Sequence, residues 1–268
     1  MNLHSAFYKF VLIDSPTLLA ASLRAQASAL TGSIIVASEG VNGTVAGTDD
    51  DIAVFEATLR SDTRFAQMAF KHSTWQRPPF GRMKVSVRAR IVAIDLPAVP
   101  AALRTAIEPE AWAHLIARDD VVVLDNRNHF EWALGRFEGA LNPDVSHFKD
   151  FPSFVAAHAD AWKREGKTVA MYCTGGIRCE RTSGWVQSLG LPCVELEGGI
   201  LNFLEKMPTS NTAWKGECYV FDNRVALDAA LNETNTTAAE VFAPFPDEAW
   251  RITRAERLDA SAQTLDEK

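Results

Sequence analysis

Apolar and polar positions alternate through residues 6–13 ("AFYKFVLI"), which predicts a strand. Residues 15–30 ("SPTLLAASLRAQASAL") carry a helical pattern, with Ser15 as N-cap and Pro16 at the first helical position. "SIIVASEG" and "NGTVAG" read as two extended pieces, with Asn42-Gly43 as the turn between them because both residues tolerate positive φ. Residues 49–62 ("DDDIAVFEATLRSD") predict a second helix, its first turn acidic as the helix dipole favours. "QMAFKHSTW" and "KVSVRARIVAI" predict two more strands, the second alternating as in a sheet with one solvated face. The order β-α-β-β-α-β with one additional strand is that of an α+β, ferredoxin-like sandwich.

A proline-bearing connector at 94–104 ("IDLPAVPAALR") marks the expected boundary, with domains at 1–98 and 105–208 and an extension at 209–268. Beyond it, "EPEAWAHLIARD", "FPSFVAAHADAWKRE" and "RCERTSGWVQSLG" are helical. They alternate with the short apolar runs "VVVLD", "TVAMYC" and "CVELEGG", which suit parallel strands buried on both faces. This predicts a doubly wound α/β domain with a parallel sheet, in which ligands sit beyond the carboxyl ends of the strands. Asp125 and Cys173 fall at such ends. After Asn211 the pattern is less regular, "GECYVFDNRVALD" reads as a packed strand, and the polar tail "DASAQTLDEK" is expected to fray.

Composition adds little to that picture except in charge and cysteine. The chain has 268 residues, 47% of them hydrophobic, and a net charge of −7. No apolar stretch approaches the roughly 20 residues of a membrane helix, and the N-terminus lacks a signal-peptide pattern, so a cytoplasmic location is expected. The four cysteines (Cys173, Cys179, Cys193, Cys218) form no CxxC and no disulfide scaffold, so no metal site and reduced thiols are expected. The charge is uneven. Residues 60–90 hold eight Lys or Arg against one acid, Asp62, giving +7 and leaving −14 for the rest. Such a run is usually a solvated face. Here Phe65, Phe70, Trp75 and Phe80 interleave with the cations, which suits phosphates and unstacked bases. Lys71, Arg77, Arg82, Lys84, Arg88 and Arg90 are therefore the expected RNA-binding residues, with 72–84 as a surface loop.

The chemistry centres on "MYCTGGIRCE" (171–180). A lone cysteine at a strand end is most often a small core hydrophobe. Here a strand, Cys173, the loop Thr174, Gly175, Gly176 and Ile177, then Arg178 and a helix follow in order. Successive loop N–H groups at a helix N-terminus make a nest for an anion, and the nest, the dipole and Arg178 together lower a thiol pKa. Cys173 is thus the expected nucleophile and Arg178 its catalytic partner. Cysteine-phosphatase cradles place five residues between Cys and Arg. The four here make a smaller ring, suited to a persulfide sulfur rather than a phosphate.

Asp125 and Arg127 are supporting candidates. Arg127 would hold an anionic substrate, or Asp125 would fix the loop, or the two would simply pair to close the sheet. Cys179, six residues after Cys173, would resolve an oxidised Cys173 or pack the helix. Cys193 and Cys218 read as core. Glu131 reads as a contact for neighbouring backbone. His129, His147 and His158 show no ligand spacing. No 2-His-1-carboxylate pattern and no flavin fingerprint is present.

"VVVLDNRNHFEWALGRFEGALNPD", "MYCTGGIRCERT" and "ELEGGI" resemble the rhodanese domain. With "SEGVNGTVAG", "FGRMKVSVRARIV" and "WKGECYVFDNRVAL" they resemble, from Phe7 to Leu227, the bacterial oxygen-dependent tRNA uridine(34) hydroxylases. That family joins an N-terminal acylphosphatase-like domain to a rhodanese domain and hydroxylates the wobble uridine at C5. The resemblance implies tRNA, held by its anticodon arm, as partner. It also implies molecular oxygen as co-substrate and an electron donor that the residues do not name. Cys173 matches the family's active-site cysteine, the persulfide carrier by analogy with rhodaneses. Many members continue into a Cys-rich C-terminal segment, whereas no cysteine follows Cys218 here, and the usual lysine after "CE" is Arg181. A sulfurtransferase carrying a persulfide on Cys173 is the alternative. An RNA-binding module with a relic loop ranks below both.

Overall fold

The computed structural model describes residues 2–97, 104–207 and 212–257. The first half comprises β1 (Asn2–Phe10), α1 (Pro16–Gln26), β2 (Thr31–Ala37), β3 (Gly40–Thr48), α2 (Asp49–Ser61), β4 (Phe70–Thr74) and β5 (Met83–Val87). Its sheet runs β4-β1-β3-β2-β5. The first four strands pair antiparallel in the ferredoxin-like order, and β5 adds parallel to β2 at the edge. One face of β1 is covered by helix: Phe7 packs on Phe55 of α2, with ring centroids 5.8 Å apart, and Ser5 donates to Glu56 at 2.6 Å. Thr48 caps α2 by accepting from the Asp51 N–H, and three aspartates fill its first turn as the dipole favours.

The turn expected at Asn42-Gly43 lies instead at Ser38-Glu39, and Asn42 and Gly43 sit inside β3. The glycine answers to packing, because a Cβ at Gly43 would fall 2.6 Å from the Phe7 ring. The long alternating run after Met83 is a strand only to Val87. Ile91 then turns inward, its N–H donating to Glu39 and its carbonyl accepting from Asn42, and Ile94 and Leu96 join the core of the second half. Residues 98–103 of the expected connector lie outside the described residues, as do residues 208–211 and the tail from 258.

The second half comprises β6 (Ala106–Ile107), α3 (Pro109–Leu115), β7 (Val121–Asp125), α4 (His129–Leu134), β8 (Gly135–Phe137), α5 (Phe151–Arg164), β9 (Thr168–Tyr172), α6 (Ile177–Ser188), β10 (Cys193–Leu196) and α7 (Gly199–Lys206). Strands β6-β10-β9-β7 form a parallel sheet. Alternate strand residues serve two cores. Val122, Leu124, Val169 and Met171 pack with Val155 and Trp162 of α5 and Val186 of α6. Val123, Ala170 and Tyr172 pack with Trp112 of α3 and Phe203 of α7. Burial on both faces is why these strands read as unbroken apolar runs.

The remaining chain adds β11 (Trp214–Gly216), paired to β8, and a hairpin of β12 (Cys218–Tyr219) and β13 (Ala226–Leu227). The single strand expected over 216–228 is therefore two short strands around a turn. Asp222 and Arg224 hold that turn through paired hydrogen bonds at 2.9 and 2.7 Å. Helix α8 (Ala238–Phe242) and a helix over 250–257 follow. No helix among the described residues is long and apolar enough to cross a membrane.

The sheet face of the first half that carries no helix is covered by the second. His4 of β1 lies 3.5 Å from Asp222, Tyr8 donates to Glu180 of α6 at 3.0 Å, and Arg224 donates to Ser73 of β4 at 2.7 Å. Lys71, one pleat from Ser73 on β4, reaches the loop after β9.

Candidate active site

Cys173 directly follows β9, at the carboxyl end of a central strand. The chain then turns through Thr174, Gly175 and Gly176 into α6. The Cys173 sulfur accepts from the Gly176 N–H at 3.1 Å. The outer side of the loop is closed by α7. Ile200 N–H donates to the Cys173 carbonyl at 2.9 Å and Leu201 N–H to that of Thr174 at 3.1 Å. Gly199 permits this approach. Its φ is +70°, and a Cβ there would lie 2.4 Å from the Cys173 carbonyl oxygen. "ELEGGI" is thus the back wall of the cysteine loop.

Cys173 is 1% exposed. Burial alone would push its thiol up. The hydrogen bond from Cys179, the Arg178 charge and the backbone N–H groups outweigh burial and bring it down to about 6. Cys179, buried beside an anionic sulfur, is pushed well up and stays a thiol. Cys193 and Cys218 are buried in the two cores of the second half.

Arg178 turns its guanidinium onto Glu131 of α4, in a two-armed contact at 2.8 Å on each arm. Burial alone would raise the Glu131 carboxyl, but Arg178 overrides it and holds the group below the ordinary carboxylate range. Glu131 also accepts from the Asn128 N–H at 3.1 Å, the backbone contact expected of it. Its bond to Arg178 is the role that sequence reasoning missed. The N-x-x-E pattern marks the cap but gives no sign of an arginine 47 residues on.

Asp125 and Arg127 lie away from the loop opening, in the interior. Both are 0% exposed. Asp125 accepts from Arg127 Nε at 2.8 Å, from Arg127 Nη2 at 2.6 Å and from Tyr172 OH at 2.6 Å. Arg127 also donates to the Gly135 carbonyl. A guanidinium so enclosed offers no face to a substrate anion, and the pair ties β7 to β9 and β8.

The basic window divides. Arg60 pairs with Glu56, Arg64 with Asp62, Arg77 with Glu233 at 2.5 Å, and Arg90 with Glu39 and Asp95. The loop 72–84 is pinned by Asn223, which donates to the Pro78 and Pro79 carbonyls. Phe65 is buried, and Phe70 and Phe80 pack on Phe7 and His4, so none of these three rings stands free for stacking. Arg82, Lys84 and Arg88 are exposed and pair with no carboxylate among the described residues.

Lys71 departs furthest from expectation. Its ammonium donates to the Gly175 carbonyl and, at 2.5 Å, to that of Gly198, so it bridges the cysteine loop and its back wall. Burial pushes it down to about 8, against the pull of Cys173 and Glu205. Tyr8 was not foreseen at all. Its hydroxyl would lie 3.0 Å from a Cβ at Gly176. The first half of the chain therefore helps build the site. Lys71→Met should reduce activity by about tenfold to a hundredfold. It should also move the pH midpoint of Cys173 alkylation upward, because a cation beside the thiolate is lost. An unmoved midpoint would make Lys71 a strut only.

At the opposite side, Phe221 of the β12–β13 turn is 56% exposed. Its ring lies 5.6 Å from the Arg178 guanidinium. It is an exposed aromatic surface beside the cysteine loop. The strand expected over this segment gave no sign of it, since exposure here follows from the turn.

Residues 3–91 match the family model described as the UPF0176 acylphosphatase like domain, and residues 108–206 match the Rhodanese-like domain. The chain is 41% identical over 233 residues to a tRNA uridine(34) hydroxylase of Legionella pneumophila (strain Corby), covering 85% of this chain and 91% of that one. It is 42% identical over 243 residues to a tRNA uridine(34) hydroxylase of Bradyrhizobium diazoefficiens, covering 87% and 94%. A rhodanese-related protein of Thermoplasma volcanium, known as a crystal structure, is 25% identical, with a TM-score of 0.29 over 38% of this chain and 92% of that one. The two matched domains, and identity of 41% and 42% over 85% and 87% of the chain, place it in the tRNA uridine(34) hydroxylase family.

Proposed function

We propose that this protein hydroxylates uridine 34 of tRNA at C5, with molecular oxygen as co-substrate and Cys173 as the reacting residue. One observation carries the reading: relatives of that name align through both domains, while the cysteine cradle is complete here, from the Gly176 N–H to the Arg178–Glu131 pair. Residues 105–208 supply the chemistry. Residues 1–98 supply Lys71 and the exposed cations, and the extension 209–268 supplies Phe221. The anticodon arm is the partner, and the cytoplasm, where tRNA resides, is the location. The wobble base leaves the anticodon stack and lies against Phe221 beside the loop, since reaching a base atom requires unstacking it.

The test is direct. Purified protein, tRNA with uridine at position 34, air and a small thiol should yield 5-hydroxyuridine by nucleoside mass spectrometry, and an anaerobic control should not. No product in air, together with rapid thiosulfate-to-cyanide sulfur transfer, would favour the sulfurtransferase reading.

Arg82, Lys84 and Arg88 are the cations left free for phosphate. Replacing all three with serine should weaken tRNA binding and flatten its log–log salt dependence by about two. An unchanged slope would make β5 a plain solvated edge.

A further inference from the structure

Three successive carbonyls of the cysteine loop are each held, but not by the same domain. Those of Cys173 and Thr174 accept from the Ile200 and Leu201 N–H groups of α7, within the second domain. That of Gly175 accepts from Lys71 Nζ, which reaches over from β4 of the first domain and also donates to the Gly198 carbonyl at 2.5 Å. The third carbonyl differs from the others in what shares its peptide group. The nitrogen of that group is Gly176 N–H, the donor to the Cys173 sulfur at 3.1 Å. One peptide is thus held at its oxygen by Lys71 and at its nitrogen by the sulfur.

We propose that Lys71 is a positioning residue, which holds the Gly175–Gly176 peptide with its N–H toward Cys173, so that the first domain sets the cradle of a sulfur carried by the second. This deepens the function proposed above and rests on Cys173 being the reacting residue there. Local geometry alone does not choose the orientation. A peptide plane turns over by a half-turn in ψ of the residue before it and φ of the residue after it. Both residues here are glycine, so no Cβ resists the turn. Gly176 has a φ of +98°. The half-turn would bring that angle to about −80°, a value open to every residue. The turned peptide would aim its carbonyl at the sulfur and its N–H at Lys71. An ammonium opposes that N–H at all times, whereas the sulfur opposes that carbonyl strongly only once it is an anion. Lys71 therefore fixes the N–H in place before the thiol ionises. Tyr8, also of the first domain, meets the same glycine pair: its hydroxyl lies 3.0 Å from the Cβ position of Gly176 and donates to Glu180 of α6. The second domain by itself holds two of the three carbonyls and leaves to its neighbour the one that governs the sulfur.

The experiment reads the Gly176 amide directly in the full chain. Glycine follows glycine only at 175–176 and 198–199. Protein isotope-labelled at its glycine carbonyl carbons and nitrogens therefore gives, in a carbonyl-edited NMR spectrum, the amide signals of Gly176 and Gly199 alone. Gly175→Ala removes the first of them and so assigns it. The Cβ it adds would meet only Lys71 Nζ, at 3.7 Å. In the natural protein the Gly176 amide proton should shift with pH at the midpoint of Cys173 alkylation, because it is bonded to the ionising sulfur. In folded Lys71→Met, checked by its melting transition, that shift should fall to less than about half, and the alkylation midpoint should rise by roughly one pH unit. Lys71→Gln, which keeps a neutral donor, should retain more of the Gly176 shift than Lys71→Met, and serves in its place if Lys71→Met does not fold. Loss of the ammonium charge alone would raise the midpoint and leave the Gly176 shift at full size. The positioning role is overturned if Gly176 does not follow Cys173 in the natural protein. It is overturned also if the Lys71 variants keep the full Gly176 shift, or lose it with no change in the midpoint. These readouts need no tRNA, so their failure is distinct from absence of 5-hydroxyuridine in the assay above, which would remove the hydroxylase reading.

Discussion

Cys173→Ser is expected to reduce formation of 5-hydroxyuridine by at least about 10³-fold while leaving the fold intact. The substitution is nearly isosteric, and the Gly176 N–H of the nest would still find an oxygen to bond. What is lost is the anion. A serine hydroxyl stays protonated throughout the working range, so the nest would hold a neutral group of little nucleophilicity. The same physics sets the pH dependence of the natural protein. With the thiol brought down to about 6, the thiolate fraction rises as pH increases through 6. At pH 7 about nine-tenths of the sulfur is ionised. Alkylation of Cys173 by iodoacetamide should therefore have its midpoint near 6 and be level by about pH 7.5. A midpoint near the ordinary thiol value of about 8.5 would show that the cradle does not activate the sulfur. Cys179, pushed in the opposite direction, should remain unmodified over the same range.

Asp125→Asn should cost about 3–5 kcal/mol of stability in urea denaturation. The carboxylate is the counter-charge for a guanidinium with no exposure at all, and it accepts from Arg127 through both Nε and Nη2 and from Tyr172. The amide keeps the shape but removes the charge, and one acceptor oxygen becomes a donor facing other donors. An uncompensated buried cation follows, which is the costly way to break such a pair. The strands held together, β7 and β9, are those whose ends carry the site, so activity should fall in step with the folded fraction. Loss of activity in a variant of unchanged stability would place Asp125 in the chemistry instead.

The two domains and the cysteine cradle were legible in the chain because each is a local property. Alternation in β1, the unbroken apolar runs of β7 and β9, and the acidic start of α2 all follow from periodicity and the helix dipole. The cradle is local too. Its N–H donor, Gly176, lies three residues from Cys173, so spacing alone foretells a nest. Where local signals misled, packing had set the residue: Gly43 reads as a turn and serves the Phe7 ring.

What only the tertiary structure decided is which distant groups surround that cradle. Lys71 belongs to a basic run, and nothing in the run says that β4 turns Phe70 to the core of its own domain and Lys71 to the second domain. Glu131 meets Arg178, Tyr8 meets Glu180, and Phe221 stands beside Arg178 across separations of 43 to 172 residues. Charge, burial and hydrogen bonding act through space, and their strength depends on how much water is excluded. The sequence therefore identified the sulfur and the backbone that holds it. The ions around that loop and the aromatic ring beside Arg178 became particular only once the two domains had closed over it.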